Sequence, residues 1–248
     1  MSGSGREGRK LARELRRLTR ALGPIRELDV CRNLLRTIAT ARPDLALACE
    51  RADTHLVEVA ARRRARLAKS LGNLDLRTLV ARVDAHLRHI RDRADPARRP
   101  IDRVRLASRI AERADDVGAA AESAGALYAP EALHAVRIRT KKLRYALEVG
   151  RVARLSGAAP AATRLRRYQD LLGDLHDLQV LASHVGHLQS RLPLEDADLG
   201  ALSDLLVHVE NRCRELHAGF VGKRAALVAL VDQVAAAFSR HGRESRHT

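Results

Sequence analysis

The chain has 248 residues, with 46 Lys+Arg against 30 Asp+Glu and a formal net charge of +16. With 46% hydrophobic and 31% charged residues it is a folded protein, not a disordered one, and the length suits one large domain or two modest ones. No apolar run approaches the roughly 20 residues of a membrane span, and "MSGSGREGRK" (Met1 to Lys10) has no signal-peptide apolar core, so a cytoplasmic protein is expected.

Only five of the 46 cations are lysine, at positions 10, 69, 141, 142 and 223, which leaves 41 arginines. A field of this sign concentrates polyanions such as nucleic acid, anionic lipid or polyphosphate. No Trp, two Phe and three Tyr argue against single-strand nucleic-acid binding, which relies on aromatic platforms for bases. Cys31, Cys49 and Cys213 are odd in number, far apart and set in helical patterns, so they read as reduced core or interface thiols.

Ala/Leu/Arg/Glu-rich segments with apolar residues three and four apart read as helices throughout, giving an all-α fold. In the first of them, Arg9, Arg13, Arg16 and Arg20 lie opposite Leu11, Leu15, Leu18 and Leu22. "ELRRLTRALGPIRELDV" (Glu14 to Val30) resembles "RLRRYQDLLGDLHDLQV" (Arg164 to Val180) at a constant offset of 150. The same offset pairs Val57 with Val207, Val59 with Val209, Arg62 with Arg212 and Gly72 with Gly222, so the chain reads as two copies of one helical unit. Each "LG" is expected to end a helix at Gly23 or Gly173, with Pro24 or Asp174 starting the next.

Between the copies, "RADPARRP" (Arg93 to Pro100) breaks the helical pattern, a helix from Ile101 to Val117 bridges the halves, and "GALYAP" (Gly125 to Pro130) leads into the next helix. This organises the chain as an N-terminal half over 1–95, a bridge over 96–130 and a C-terminal half over 131–243, two related antiparallel bundles in one domain. The twin of the helix at His134 would start ahead of Met1, so one helix of the first unit is expected to be missing.

"HAVRIRTKKLRYALE" (His134 to Glu148) carries the strongest charge pattern. At about 100° per residue, Arg137, Lys141 and Arg144 fall within about 80° of His134, a stripe roughly 15 Å long. Ala132, Val136, Leu143 and Leu147 fall on the opposite side as its core face. Neighbouring like charges on this stripe disfavour the isolated helix by a few tenths of a kcal/mol per pair, only partly offset by Glu148. A linear polyphosphate suits such a lining, because it exposes only oxygens, which arginine forks and lysine point charges grip. Near those anions His134 would gain a proton and donate more strongly.

"LHAVRIRTKKLRYALE", "LGPIRELDV" and "LGDLHDLQV" resemble motifs of the conserved-histidine α-helical domain (CHAD) family over nearly the entire chain, from about Leu11 to Phe238. The resemblance implies two related helical bundles around a basic central cavity and binding of inorganic polyphosphate, in some members with recruitment to polyphosphate granules. By motif position it assigns anion contacts to His134, Arg137, Lys141 and Arg144, and further to Arg16, Arg166, Arg26, Arg62 and Arg212. The chain departs from the pattern at the first histidine helix and at Glu27, where the family shows Asp.

No P-loop, His-Glu-x-x-His helix or nucleophile motif is present, and no enzymatic activity or cofactor is expected. His86/His89 and His184/His187 at i,i+3, and Asp174, His176 and Asp177, fall short of a full metal-ligand set, so no metal is expected. Nucleic acid is the alternative partner, since the charge alone attracts a phosphate backbone, yet no helix-turn-helix, zinc or RNA-binding signature occurs. A homodimer across the seam left by the missing helix is a third expectation.

Overall fold

The computed structural model describes residues 3–72, 75–93, 103–193 and 198–244. Among them are seven α-helices, one short 3₁₀ turn and no strand, so the protein is all-α. The helices are α1 (Gly3–Ala41), α2 (Ala46–Leu71), α3 (Leu76–Arg93), α4 (Arg103–Ser123), α5 (Pro130–Val152), α6 (Ala158–Gln189) and α7 (Asp198–Glu244). The chain forms two compact units, residues 1–99 with 180–207 and residues 100–179 with 208–248.

Both LG sequences run through the middle of helices, contrary to the expectation that they end them. α1 continues across Gly23 and Pro24, and α6 across Gly173. Neither glycine has a positive φ, and beyond its own chain neighbours neither has an atom that an added Cβ would meet. A mid-helix proline removes one backbone hydrogen bond and costs about 3 kcal/mol. Continuation beyond it keeps Leu28, Cys31, Leu35 and Ile38 buried, each worth roughly 1.5–3 kcal/mol if its side chain is fully apolar. Core burial outweighs the local break. The second copy of Gly72 is likewise interior: Gly72 caps α2, whereas Gly222 lies within α7.

In the first unit α1 folds back on α2 through the Pro43–Leu45 turn, and α3 packs on α1. Arg32 grips Asp53 with both ends of its fork, Nε to Oδ1 at 2.7 Å and a terminal nitrogen to Oδ2 at 3.0 Å. Arg82 of α3 reaches Glu7 at 2.7 Å and Glu14 at 2.9 Å on α1. Beside them Gly8 admits the His86 imidazole, which a Cβ at that position would approach to 2.7 Å. Residues 180–189 of α6 and 198–207 of α7 complete this unit, with Leu181, Val185, Leu202 and Leu205 buried and Arg51 paired to Asp198 at 3.1 Å.

In the second unit α4 packs on α5, and its buried face is largely alanine: Ala107, Ala111, Ala114, Ala120 and Ala121. The bridge helix therefore occupies Arg103–Ser123 and extends past the expected Val117 end. The expected start at Ile101 and most of the Arg93–Pro100 break lie outside the described residues.

The α5–α6 turn is built on Arg154, whose φ of 57° is left-handed. The Leu155 N–H donates to the Gly150 carbonyl at 2.9 Å and the Arg154 N–H to the Arg151 carbonyl at 3.0 Å, the paired bonds of a Schellman ending. Arg103 then donates to the Arg154 carbonyl at 2.8 Å. Gly150 is required by its neighbours, since a Cβ would lie 3.0 Å from Ile110 and 3.2 Å from Ala158.

All three cysteines are buried and none is in a disulfide. Burial pushes the Cys49 thiol up to about 11 and also raises Cys213, keeping both protonated.

Candidate functional site

The site in the second unit is built on α5. Pro130 supplies the first helical position, Ala129 before it is extended, and Glu131 and Arg151 sit at the ends that the helix dipole favours. Leu133, Val136, Leu143 and Leu147 are at most 3% exposed, so they fix the rotation of the helix. His134 then faces solvent, and Arg137, Lys141 and Arg144 are half-buried along the same side. Thr140 is fully buried among the core residues, and its hydroxyl has no hydrogen-bond partner in the structure.

α6 runs antiparallel beside this stripe. The His134 and His176 ring centroids are 4.9 Å apart, and ten residues further along α5 the Arg144 Nε donates to Gln169 Oε1 at 2.5 Å. His176 is pushed down to about 4, by burial first and then by Arg137 and His134. At neutral pH it is an uncharged imidazole next to a cationic row, offering one donor and one acceptor. Its value as a site residue was hidden in the sequence, where it reads only as one of three residues, with Asp174 and Asp177, in an incomplete metal-ligand set.

The four motif residues of α5 differ in how their charge is used. Arg144 forms an ion pair with Glu148 one turn later, bonds Gln169, and lies over the Tyr145 ring at 4.9 Å. Lys141 Nζ sits 5.8 Å from the same ring centroid, within reach of a cation–π contact. Arg144 is therefore a braced cation, while Arg137 and Lys141 carry the outward charge beside the exposed His134.

Arg166 and Arg212, also assigned to the site, are exposed on α6 and α7. Arg212 pairs with Glu215 at 2.5 Å and lowers Asp174, which burial and then Asp170 raise above the usual carboxylate range.

In the first unit Arg16 and Arg26 are exposed on α1, ten residues or roughly 15 Å apart. Arg62 on α2 is exposed and reaches Glu58 at 3.6 Å. Between α1 and α2 lies an open groove of about 370 Å³, floored by Ala21, Pro24, Ile25 and Leu67 and rimmed by Arg63 and Arg66. Arg63 donates to the Pro24 carbonyl at 2.9 Å, and Arg64 to Asp29 at 3.2 Å. The groove is a consequence of α1 continuing past Pro24, and the sequence carried no sign of it.

This unit also gathers His55, His184 and His187. His55 and His187 ring centroids are 6.4 Å apart, and His55 Nε2 is buried without a hydrogen-bond partner. Burial, with help from nearby cations, depresses both His55 and His184. Among the described residues no three or more His, Cys, Asp or Glu side chains are grouped to hold a metal ion, and no helix is long and apolar enough to cross a membrane.

What these parts can do chemically is hold an anion of repeating charge. Cations at one-turn spacing, a histidine pair with one neutral member, and a buried apolar face behind them fit phosphate oxygens. Comparison with known proteins finds no match among curated proteins and none among solved structures. A family model does match, that of the CHAD domain, over residues 5–186.

Proposed function

The chain belongs to the CHAD-domain family, a domain associated with polyphosphate binding in general, and on that premise we propose that this protein binds inorganic polyphosphate. The observation that carries the reading is the α5 stripe of His134, Arg137 and Lys141 set beside the neutral His176 of α6. Successive phosphates would take the arginine fork, the lysine ammonium and a hydrogen bond from each imidazole. Arg144 acts as the end post, its fork already oriented by Glu148 and Gln169. Arg166 and Arg212 are further anion contacts of the second unit, and Arg16, Arg26 and Arg62 are those of the first unit.

The role is one of binding and not of catalysis, in the cytoplasm, with recruitment to polyphosphate granules as its use. Duplex DNA is the competing ligand, favoured only by the net charge of +16. Long-chain polyphosphate and duplex DNA, at equal charge concentration, are to be titrated against the protein across a salt series. Polyphosphate is expected to win at every salt concentration; displacement at parity would reduce the site to generic basic adhesion. In the same assay His134→Ala with Lys141→Ala should weaken polyphosphate binding about tenfold or more, well beyond removal of Arg64 and Arg66.

A further inference from the structure

The offset of 150 that aligns the two LG helices lines up positions whose burial is very different. Leu165, Tyr168, Leu172 and Leu175 of α6 are at most 2% exposed. Their twins on α1 are open: Leu15 is 39% and Leu22 44% exposed, and Leu18 and Ile25 are half-buried. In the second unit α5 runs along α6, as the His134–His176 and Arg144–Gln169 contacts record. Among the described residues no helix plays that part for Leu15 and Leu22.

Two properties of this face restrict what can cover it. Its shape is that of a helix-sized strip: Leu15, Leu18, Leu22 and Ile25 recur at three and four residue spacing over roughly 15 Å. It opens onto the apolar floor of the Ala21–Pro24–Ile25–Leu67 groove. Its border is cationic, with exposed Arg16 and Arg26 on α1 and the rim residues Arg63 and Arg66 on α2. The nearby acid Glu14 is already bound to Arg82.

We propose that this face of α1 is a docking site for an amphipathic α-helix of another protein, one that presents leucine-type side chains to Leu15 and Leu22 and acidic side chains to the surrounding arginines. Helix-in-groove recognition uses such one-face anchors, and arginine forks take carboxylates in bidentate geometry. A second copy of this chain fits poorly, because α1 would bring Arg16, Arg20 and Arg26 against the same residues of its partner. The inference does not rest on polyphosphate binding, since a polyanion would leave Leu15 and Leu22 in water.

The test uses the full chain and a fluorescently labelled helical peptide with leucines at i, i+3, i+7 and i+10 flanked by glutamates, followed by anisotropy. A second peptide carries serine at the four leucine positions with the same charge. The leucine peptide should bind, and Leu15→Ser with Leu22→Ser should weaken it about tenfold or more while the circular dichroism of the protein is unchanged. Arg16→Gln with Arg26→Gln, a second variant that leaves the apolar strip intact, should also weaken it and flatten its salt dependence. Equal binding of the serine peptide, or indifference to the leucine substitutions, would overturn the proposal. So would self-association of the protein that Leu15→Ser with Leu22→Ser abolishes in sedimentation, which would give the face to a second copy.

Discussion

α1 and α6 carry the same LG pattern and end up in different surroundings. Leu172 is 2% exposed, while its twin Leu22 is 44% exposed. His176 sits by His134 and is held neutral, whereas the twin position holds Arg26, exposed and permanently charged. Similar local sequence thus makes a core helix in one place and an open one in the other, because burial is decided by the helix alongside. For α6 that helix is α5.

The sharpest way to break this comparison is to shave both leucines. Leu172→Ala should destabilise the protein by about 2–5 kcal/mol in chemical denaturation, and Leu22→Ala by less than about 1 kcal/mol. Equal losses would mean that α1 is covered after all.

Acid should distinguish the twins next. The folded-state value of His176, about 4, lies below its ordinary 6.5, so the unfolded chain binds the extra proton between those limits. The stability that depends on neutral His176 is whole above pH 6.5, declines as the pH falls toward 4, and levels off below. His176→Gln should flatten that part of the stability–pH curve relative to the parent, while Arg26→Gln leaves it unchanged. A parallel curve for both variants would remove His176 from the buried side of the site.

The smallest expected effect tests the glycines themselves. Because Gly173 is an ordinary helical residue with nothing near an added Cβ, Gly173→Ala should stabilise by about 0.5–1 kcal/mol, read as a rise in Tm, whereas Gly23→Ala should gain less because its Cβ would crowd the ring of Pro24. A left-handed cap would give the opposite sign.

Much of the architecture was legible in the sequence because periodicity is a direct image of burial. The all-α class held, and Val136, Leu143 and Leu147 are fully buried on the side opposite the cationic stripe. Helix ends were less legible: a Gly-Pro pair is a local break signal, and the buried residues that carry α1 past it lie further along the chain. Charge use was hidden for the same reason. Arg144 looks like its neighbours in sequence, and only the arrival of Gln169 from α6, with Glu148, commits its fork. The groove rimmed by Arg63 and Arg66 and the neutrality of His176 are likewise products of neighbouring helices, which no single segment announces.

The buried thiols have an experimental consequence. Cys31 and Cys49 lie in the first unit and Cys213 in the second, all shielded. Alkylation will therefore be slow in the native protein, and its rate at each sulfur, resolved by peptide mass spectrometry, clocks the opening of one unit separately from the other. The wild-type chain thus carries its own pair of stopwatches, one per unit, without any label added.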